Sequence, residues 1–176
     1  MPTPKSAATN PPVAMSPPNN DRTIRNAFLL EAAANLFTIP LITHTRWTLS
    51  FLLLHPSHIT PSTILFARLF GGLVVGGLTS ALLFGATRTR NGVESRRGVY
   101  VMLGLGEAVL IPMMVLEWLK GGAADAAVSP VVAAASVAFL VPPMVWRAYV
   151  LGVRPELLGR YVDVGREEGG AGAGCK

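Results

Sequence analysis

Four long apolar stretches alternate with short polar segments rich in arginine. They run over residues 26–43 (NAFLLEAAANLFTIPLIT), 61–86, 98–119 and 128–150. A helix needs about 20 mainly apolar residues to cross the hydrocarbon layer, so each stretch predicts a transmembrane helix. The segment HTRWTLSFLLLHPSH lies between the first two. It carries Arg46, Trp47 and its own apolar run, and reads as an interfacial piece or an extension of the first helix. Pro40 predicts a kink or an early end there. The flanks lack such stretches. Residues 1–22 form a proline-rich segment, with Pro2, Pro4, Pro11, Pro12, Pro17 and Pro18. It cannot bury enough apolar surface to offset its ordering entropy, and its prolines stand where a signal peptide would need an apolar core. Residues 154–176 turn charged and end in a glycine-rich run. The expected fold class is all-α: a polytopic integral membrane protein, a four-transmembrane-helix bundle over residues 23–153 with disordered N- and C-terminal tails.

Composition sharpens this reading. The 176 residues are 51% hydrophobic and 14% charged, against about 25% charged in soluble domains. Mean hydropathy is +0.45. A soluble globular domain and a disordered chain are both excluded. The single cysteine, Cys175, excludes an internal disulfide framework and a cysteine-based zinc site.

Basic residues carry the topology. Lys5, Arg22 and Arg25 precede the first span, and Arg88, Arg90, Arg96 and Arg97 separate the second from the third. Arg147, Arg154, Arg160, Arg166 and Lys176 close the chain. Arg46 and Lys120 fall on the other side, and Arg68 lies within the second span. Positive charge marks the cytosolic side of membrane helices, so both termini are expected in the cytosol, with an endoplasmic reticulum or other endomembrane location. The same bias explains the pI near 10.0 without a nucleic-acid partner. The lipid bilayer is the partner it implies.

Small residues mark the second span. Gly72, Gly76 and Ser80 form one ridge at four-residue spacing, and Gly77, Ala81 and Gly85 another. Small residues let helix backbones approach closely in lipid. Two ridges favour packing against two neighbours inside the monomer. A homo-oligomer seam through Gly72, Gly76 and Gly77 is the alternative. In the fourth span, Pro142 and Pro143 predict a bend, either a simple kink or the wall of a pocket.

Ionisable residues inside a bilayer are costly, by about 2.5–3.5 kcal/mol each on insertion scales, and so point to function. Glu31, Arg68, Glu107 and Glu117 are the informative ones. At about 1.5 Å per residue, Glu107 lies about 13 Å beyond Gly98, and Arg68 about 10 Å beyond Pro61. Glu31 shares a helix face with Asn35 and Thr38, and Glu107 shares one with Met114 and Trp118. Two embedded carboxyls in different surroundings can hold one proton and release another. The expected catalytic pair is Glu107 with Glu31. Arg68, Asn35, Met114 and Trp118 are the expected substrate-binding residues, with Arg68 pairing to Glu107 or Glu117 or binding an anionic group. The structural alternatives are a buried Arg68–glutamate pair that fixes helix register and a Glu31 that snorkels to water.

His44, His55 and His58 share one loop region. Pro56 disturbs their spacing, and no metal or cofactor is assigned. RLFGGLVVGG lies inside a span, so it is no phosphate loop. Trp47, Trp118 and Trp146 fit an aromatic belt at the membrane boundaries. In architecture and in its embedded acids the chain resembles small polytopic membrane enzymes that act on isoprenoid or polyketide-like substrates. The function expected is an intramembrane enzyme or binding protein for a hydrophobic small molecule. It would use proton transfer, as in an isomerase or cyclase. A non-catalytic scaffold or accessory subunit is the alternative, ahead of an oligomeric channel or transporter.

Overall fold

A computed structural model describes residues 13–16, 21–123 and 125–163. Four of its helices are long and apolar enough to cross a membrane: Arg22–Thr43, Pro61–Gly85, Arg90–Leu119 and Pro130–Gly152. The all-α membrane bundle is therefore as expected. Most of the tail sequence, with Cys175, lies outside the described residues. Within those tails, Val13–Ser16 (β1) pairs antiparallel with Arg160–Asp163 (β2), a short ribbon the tail composition did not signal.

The first span is compound. Helix α1 (Asp21–Asn35) passes through a 3-10 turn, Leu36–Thr38, into α2 (Ile39–Thr43). Pro40 sits in the first turn of α2, where its missing N–H costs nothing. His44 breaks the helix, and α3 (Thr45–Leu52) follows as a separate short helix. Its Trp47 and Phe51 stack edge to face at 4.7 Å and are both 61% exposed. The segment thus forms a helix of its own and does not extend the first span.

The second span starts at α4 (Pro61–Gly72), capped by Thr60, whose hydroxyl accepts from the Thr63 N–H. A π-helical turn, Leu73–Leu78, leads into α5 (Thr79–Gly85). The Thr79 hydroxyl donates to the Val74 carbonyl at 3.0 Å within that wide turn. Such turns are rare and cluster at functional sites. The third span, α6 (Arg90–Leu119), begins eight residues before the apolar stretch, capped by Thr89. Gly121 and Gly122, both at positive φ, end it. The fourth, α7 (Pro130–Gly152), starts from a Ser129 cap and keeps its helical path through Pro142 and Pro143.

Sequential helices are neighbours: α2 lies on α4, α1 on α5, α5 on α6, and α6 on α7. The tightest core gathers Ile24, Phe28, Leu82, Tyr100 and Val150 at the end of the bundle near the chain termini. Elsewhere large apolar side chains such as Phe66, Leu105 and Leu116 point outward, as lipid-facing residues must.

Arg96 is fully buried in this core end. Its guanidinium donates to the carbonyls of Gly85 (2.8 Å), Leu158 (3.2 Å) and Thr87 (3.3 Å). It clamps the loop between the second and third spans to the 3-10 turn Pro155–Leu158. The sequence counted Arg96 only as a topological charge.

The glycines divide differently from the expected ridges. A Cβ on Gly85 would collide with the Phe28 ring, and one on Gly71 would meet Ile42 at 2.9 Å. Gly72 and Gly76 face open space. Close approach inside the monomer thus uses Gly71 and Gly85, and the Gly72–Gly76 ridge is turned outward. We expect Gly85→Ala to lower stability by about 1–3 kcal/mol through overpacking. Gly76→Ala should leave the monomer as stable or gain up to about 1 kcal/mol from reduced backbone entropy. Thermal unfolding of the two variants in detergent checks this contrast. Equal melting points would contradict it.

Candidate functional site

The site assembles from three spans around one arginine. Arg147 lies five residues before the end of α7, about 8 Å along the axis. The residue is buried, 5% exposed, and its side chain does not run out to the flank as the charge pattern suggested. One terminal nitrogen, Nη2, donates to Glu31 Oε2 of α1 at 2.6 Å. The other, Nη1, is ion-paired with Glu107 Oε1 of α6. A single guanidinium therefore joins two glutamates contributed by different helices.

Aromatic groups hold the guanidinium in place. It sits 5.7 Å above the Tyr100 ring centroid, within cation–π range. Tyr100 is itself fully buried and stacked on Phe28 at 4.7 Å. The indole N–H of Trp146 donates to the Tyr100 hydroxyl oxygen at 3.0 Å. Trp146 is thus a structural partner of the site rather than only a boundary residue.

The cluster holds one more carboxyl than it has cations. In an apolar surrounding, an unbalanced charge is expensive. Several polar atoms of the cluster also lack a hydrogen-bond partner among the described residues: Glu107 Oε2, Asn35 Nδ2 and Arg147 Nε. A buried unmade hydrogen bond costs about 1–3 kcal/mol, and such atoms in a native structure call for an explanation.

A cavity adjoins them. It has a volume of about 320 Å³ and is walled by all four spans. Glu31, Asn35, Glu107 and Arg147 form its polar part, and Phe70, Val74, Leu78 and Leu140 its apolar part. Val74 and Leu78 belong to the π-helical turn. Gly106, next to Glu107, leaves open space where a side chain would project. The volume falls at the lower end of the range for small-molecule sites. A second cavity of about 560 Å³ lies between α1 and α7, and includes Ala138, Pro142 and Trp146.

The residues named from sequence distribute unevenly. Glu107, Glu31 and Asn35 line the central cavity together. Arg68 is exposed and reaches neither glutamate; its Nε donates to the Thr45 hydroxyl at 3.1 Å. The expected pairing of Arg68 with Glu107 or Glu117 is corrected, because Arg147 pairs with Glu107 and Lys120 with Glu117. Glu117 binds Lys120 Nζ at 2.6 Å and accepts from the Ala127 N–H at 2.9 Å. It ties α6 to the loop that leads into α7. Met114 borders a separate surface pocket beside Glu117, and Trp118 points outward, 49% exposed. The His55 and His58 rings meet edge to face at 5.4 Å. Among the described residues, no three metal-ligating side chains converge.

Arg147 is the residue that sequence reading missed. It stood near the end of an apolar stretch, where arginines ordinarily mark the cytosolic flank. A signal was present nonetheless: Ala148, Tyr149, Val150 and Leu151 follow it, so the helix continues for more than another turn.

Comparisons with protein-family models, with curated proteins and with solved structures each return no match.

Proposed function

We propose that the chain is an intramembrane enzyme or binding protein for a hydrophobic small molecule of isoprenoid, lipid or polyketide-like character. The observation that carries this reading is the buried Glu31–Arg147–Glu107 cluster in the wall of a mainly apolar cavity. Glu107 is the acid or base, since it offers a free carboxylate oxygen. Glu31 is its partner across Arg147. Isomerisation or cyclisation suits such a site, because a proton added at one carbon and removed from another needs no oxidant or reductant. We place the site in an endomembrane, with both termini cytosolic by the arginine bias.

Gly106→Phe tests ligand binding directly. Gly106 borders the cavity, and a side chain added there meets open space. Wild-type protein purified in mild detergent should retain a hydrophobic compound detectable by mass spectrometry of the extract. The variant should retain at least about tenfold less. Equal retention would argue against the cavity as the binding site. A second reading, a non-catalytic subunit of a larger assembly, draws on the outward-facing Gly72 and Gly76. It expects Gly106→Phe to behave as wild type and bulky changes at Gly76 to abolish assembly.

A further inference from the structure

Arg68 is a charged side chain on the outer surface of a span. It lies in α4, about 10 Å along the axis from Pro61, and is exposed. Leu65, nearly one turn before it, and Leu69, next to it, are 56% and 59% exposed. The guanidinium therefore emerges among side chains that face lipid. A charge there is costly unless it is paired or reaches the membrane surface. Helical side chains lean toward the N-terminus of their helix, and α4 begins at Pro61, where the span begins. Arg68 thus leans toward the boundary.

One hydrogen bond sets the level it reaches. Its Nε donates to Thr45 Oγ1 at 3.1 Å. Thr45 stands two residues beyond Thr43, where the first span ends, and two before the exposed Trp47, a residue type enriched at membrane boundaries. Thr45 is itself buried, and its hydroxyl donates to the Leu41 carbonyl at 2.8 Å. It is a fixed anchor. Among the described residues Nη1 and Nη2 have no partner. Pinned by Nε, the guanidinium offers these two nitrogens as a fork, the donor geometry that matches phosphate.

The surrounding sequence supplies no anion. No Asp or Glu occurs between Glu31 and Glu94, a stretch that also carries the exposed Arg46. Glu117 and Asp125, at the other end of the far-side loops, are both engaged by Lys120. We propose that Arg68 binds the phosphate of an anionic phospholipid in the leaflet that α3 borders. A lipid phosphate already sits at the membrane surface, and its acyl chains run deeper along the exposed Leu69 and Leu73. A headgroup of net negative charge is favoured over phosphocholine, whose ammonium would find no carboxylate in this stretch. Arg68 is not among the walls of the central cavity, so the lipid occupies a different place from the proposed small molecule.

The full chain in a neutral detergent is titrated with dioleoylphosphatidylglycerol or dioleoylphosphatidylcholine, and bound lipid is counted by native mass spectrometry. The wild type should bind a first phosphatidylglycerol saturably, at a concentration about tenfold or more below that for phosphatidylcholine. Arg68→Gln should raise the half-saturating phosphatidylglycerol concentration about tenfold or more. Its melting point without lipid should match wild type, since the side chain is exposed and Thr45 keeps its bond to Leu41. Arg97→Gln removes the same charge at an exposed position near the start of α6 and should leave the first binding event unchanged. Equal binding of the two lipids by the wild type would overturn the anionic headgroup without recourse to any variant. An Arg68→Gln titration that matches wild type, or equal weakening by Arg68→Gln and Arg97→Gln, would overturn Arg68 as the site. Displacement of the lipid by inorganic phosphate would overturn a lipid as the occupant. None of these outcomes bears on ligand retention in the central cavity, which Gly106→Phe tests separately.

Discussion

Arg147→Met is expected to be the most destabilising single change in the bundle. It leaves Glu31 and Glu107 buried without their common cation. Breaking a buried ion pair from one side costs about 3–5 kcal/mol, a large part of the 5–15 kcal/mol that typically holds a domain together. Stable protein should fall sharply in yield, and the melting point in detergent should drop by many degrees. The triple variant Arg147→Met, Glu31→Gln, Glu107→Gln should recover most of the loss, because it removes the charges along with their partner. Arg147→Lys should fall between, since an ammonium cannot span two carboxylates and stack on Tyr100 as the planar fork does. A melting point for Arg147→Met equal to wild type would show that the arginine does not hold the two glutamates.

Glu107→Gln should separate stability from activity. The amide preserves shape and leaves one cation with one carboxylate, Arg147 with Glu31. Folding should therefore stay within about 1 kcal/mol of wild type. Proton transfer by a placed side chain typically contributes a factor of about 10²–10⁴, and product formation should fall by that order. Glu31→Gln should reduce it less, since Glu31 acts through Arg147 and also borders the outer cavity. If both variants remain stable and keep full activity, the carboxyls serve only to fix the helices.

How much of this was legible in the chain follows physical lines. The spans were plain, because a helix in lipid must be apolar along its whole length. Even their ends were close, apart from α6, whose first turns lie outside the apolar stretch. Glu107 and Glu31 stood out because charge is rare inside a span. Their common partner did not. Depth along one helix says little about how far a flexible guanidinium reaches, or toward which helix. Arg68 was the plausible partner by depth, yet α4 turns it toward Thr45. Arg96 and Arg147 were hidden for a related reason: an arginine that clamps carbonyls or carboxylates inside the bundle reads, in one dimension, like an arginine on the flank. The glycine ridges misled similarly. Spacing shows that small residues share a face, and only packing shows which face meets a neighbour: Gly85 meets Phe28, whereas Gly76 meets nothing.

The most direct test of embedded acid–base chemistry is untargeted mass spectrometry of hydrophobic metabolites. Cells with wild-type protein, without it, and with Glu107→Gln at matched amounts should be compared. Proton transfer at Glu107 predicts that one hydrophobic compound accumulates both without the protein and in Glu107→Gln, and that its isomer disappears in both. A Glu107→Gln profile identical to wild type, with the protein-free cells differing, would contradict it.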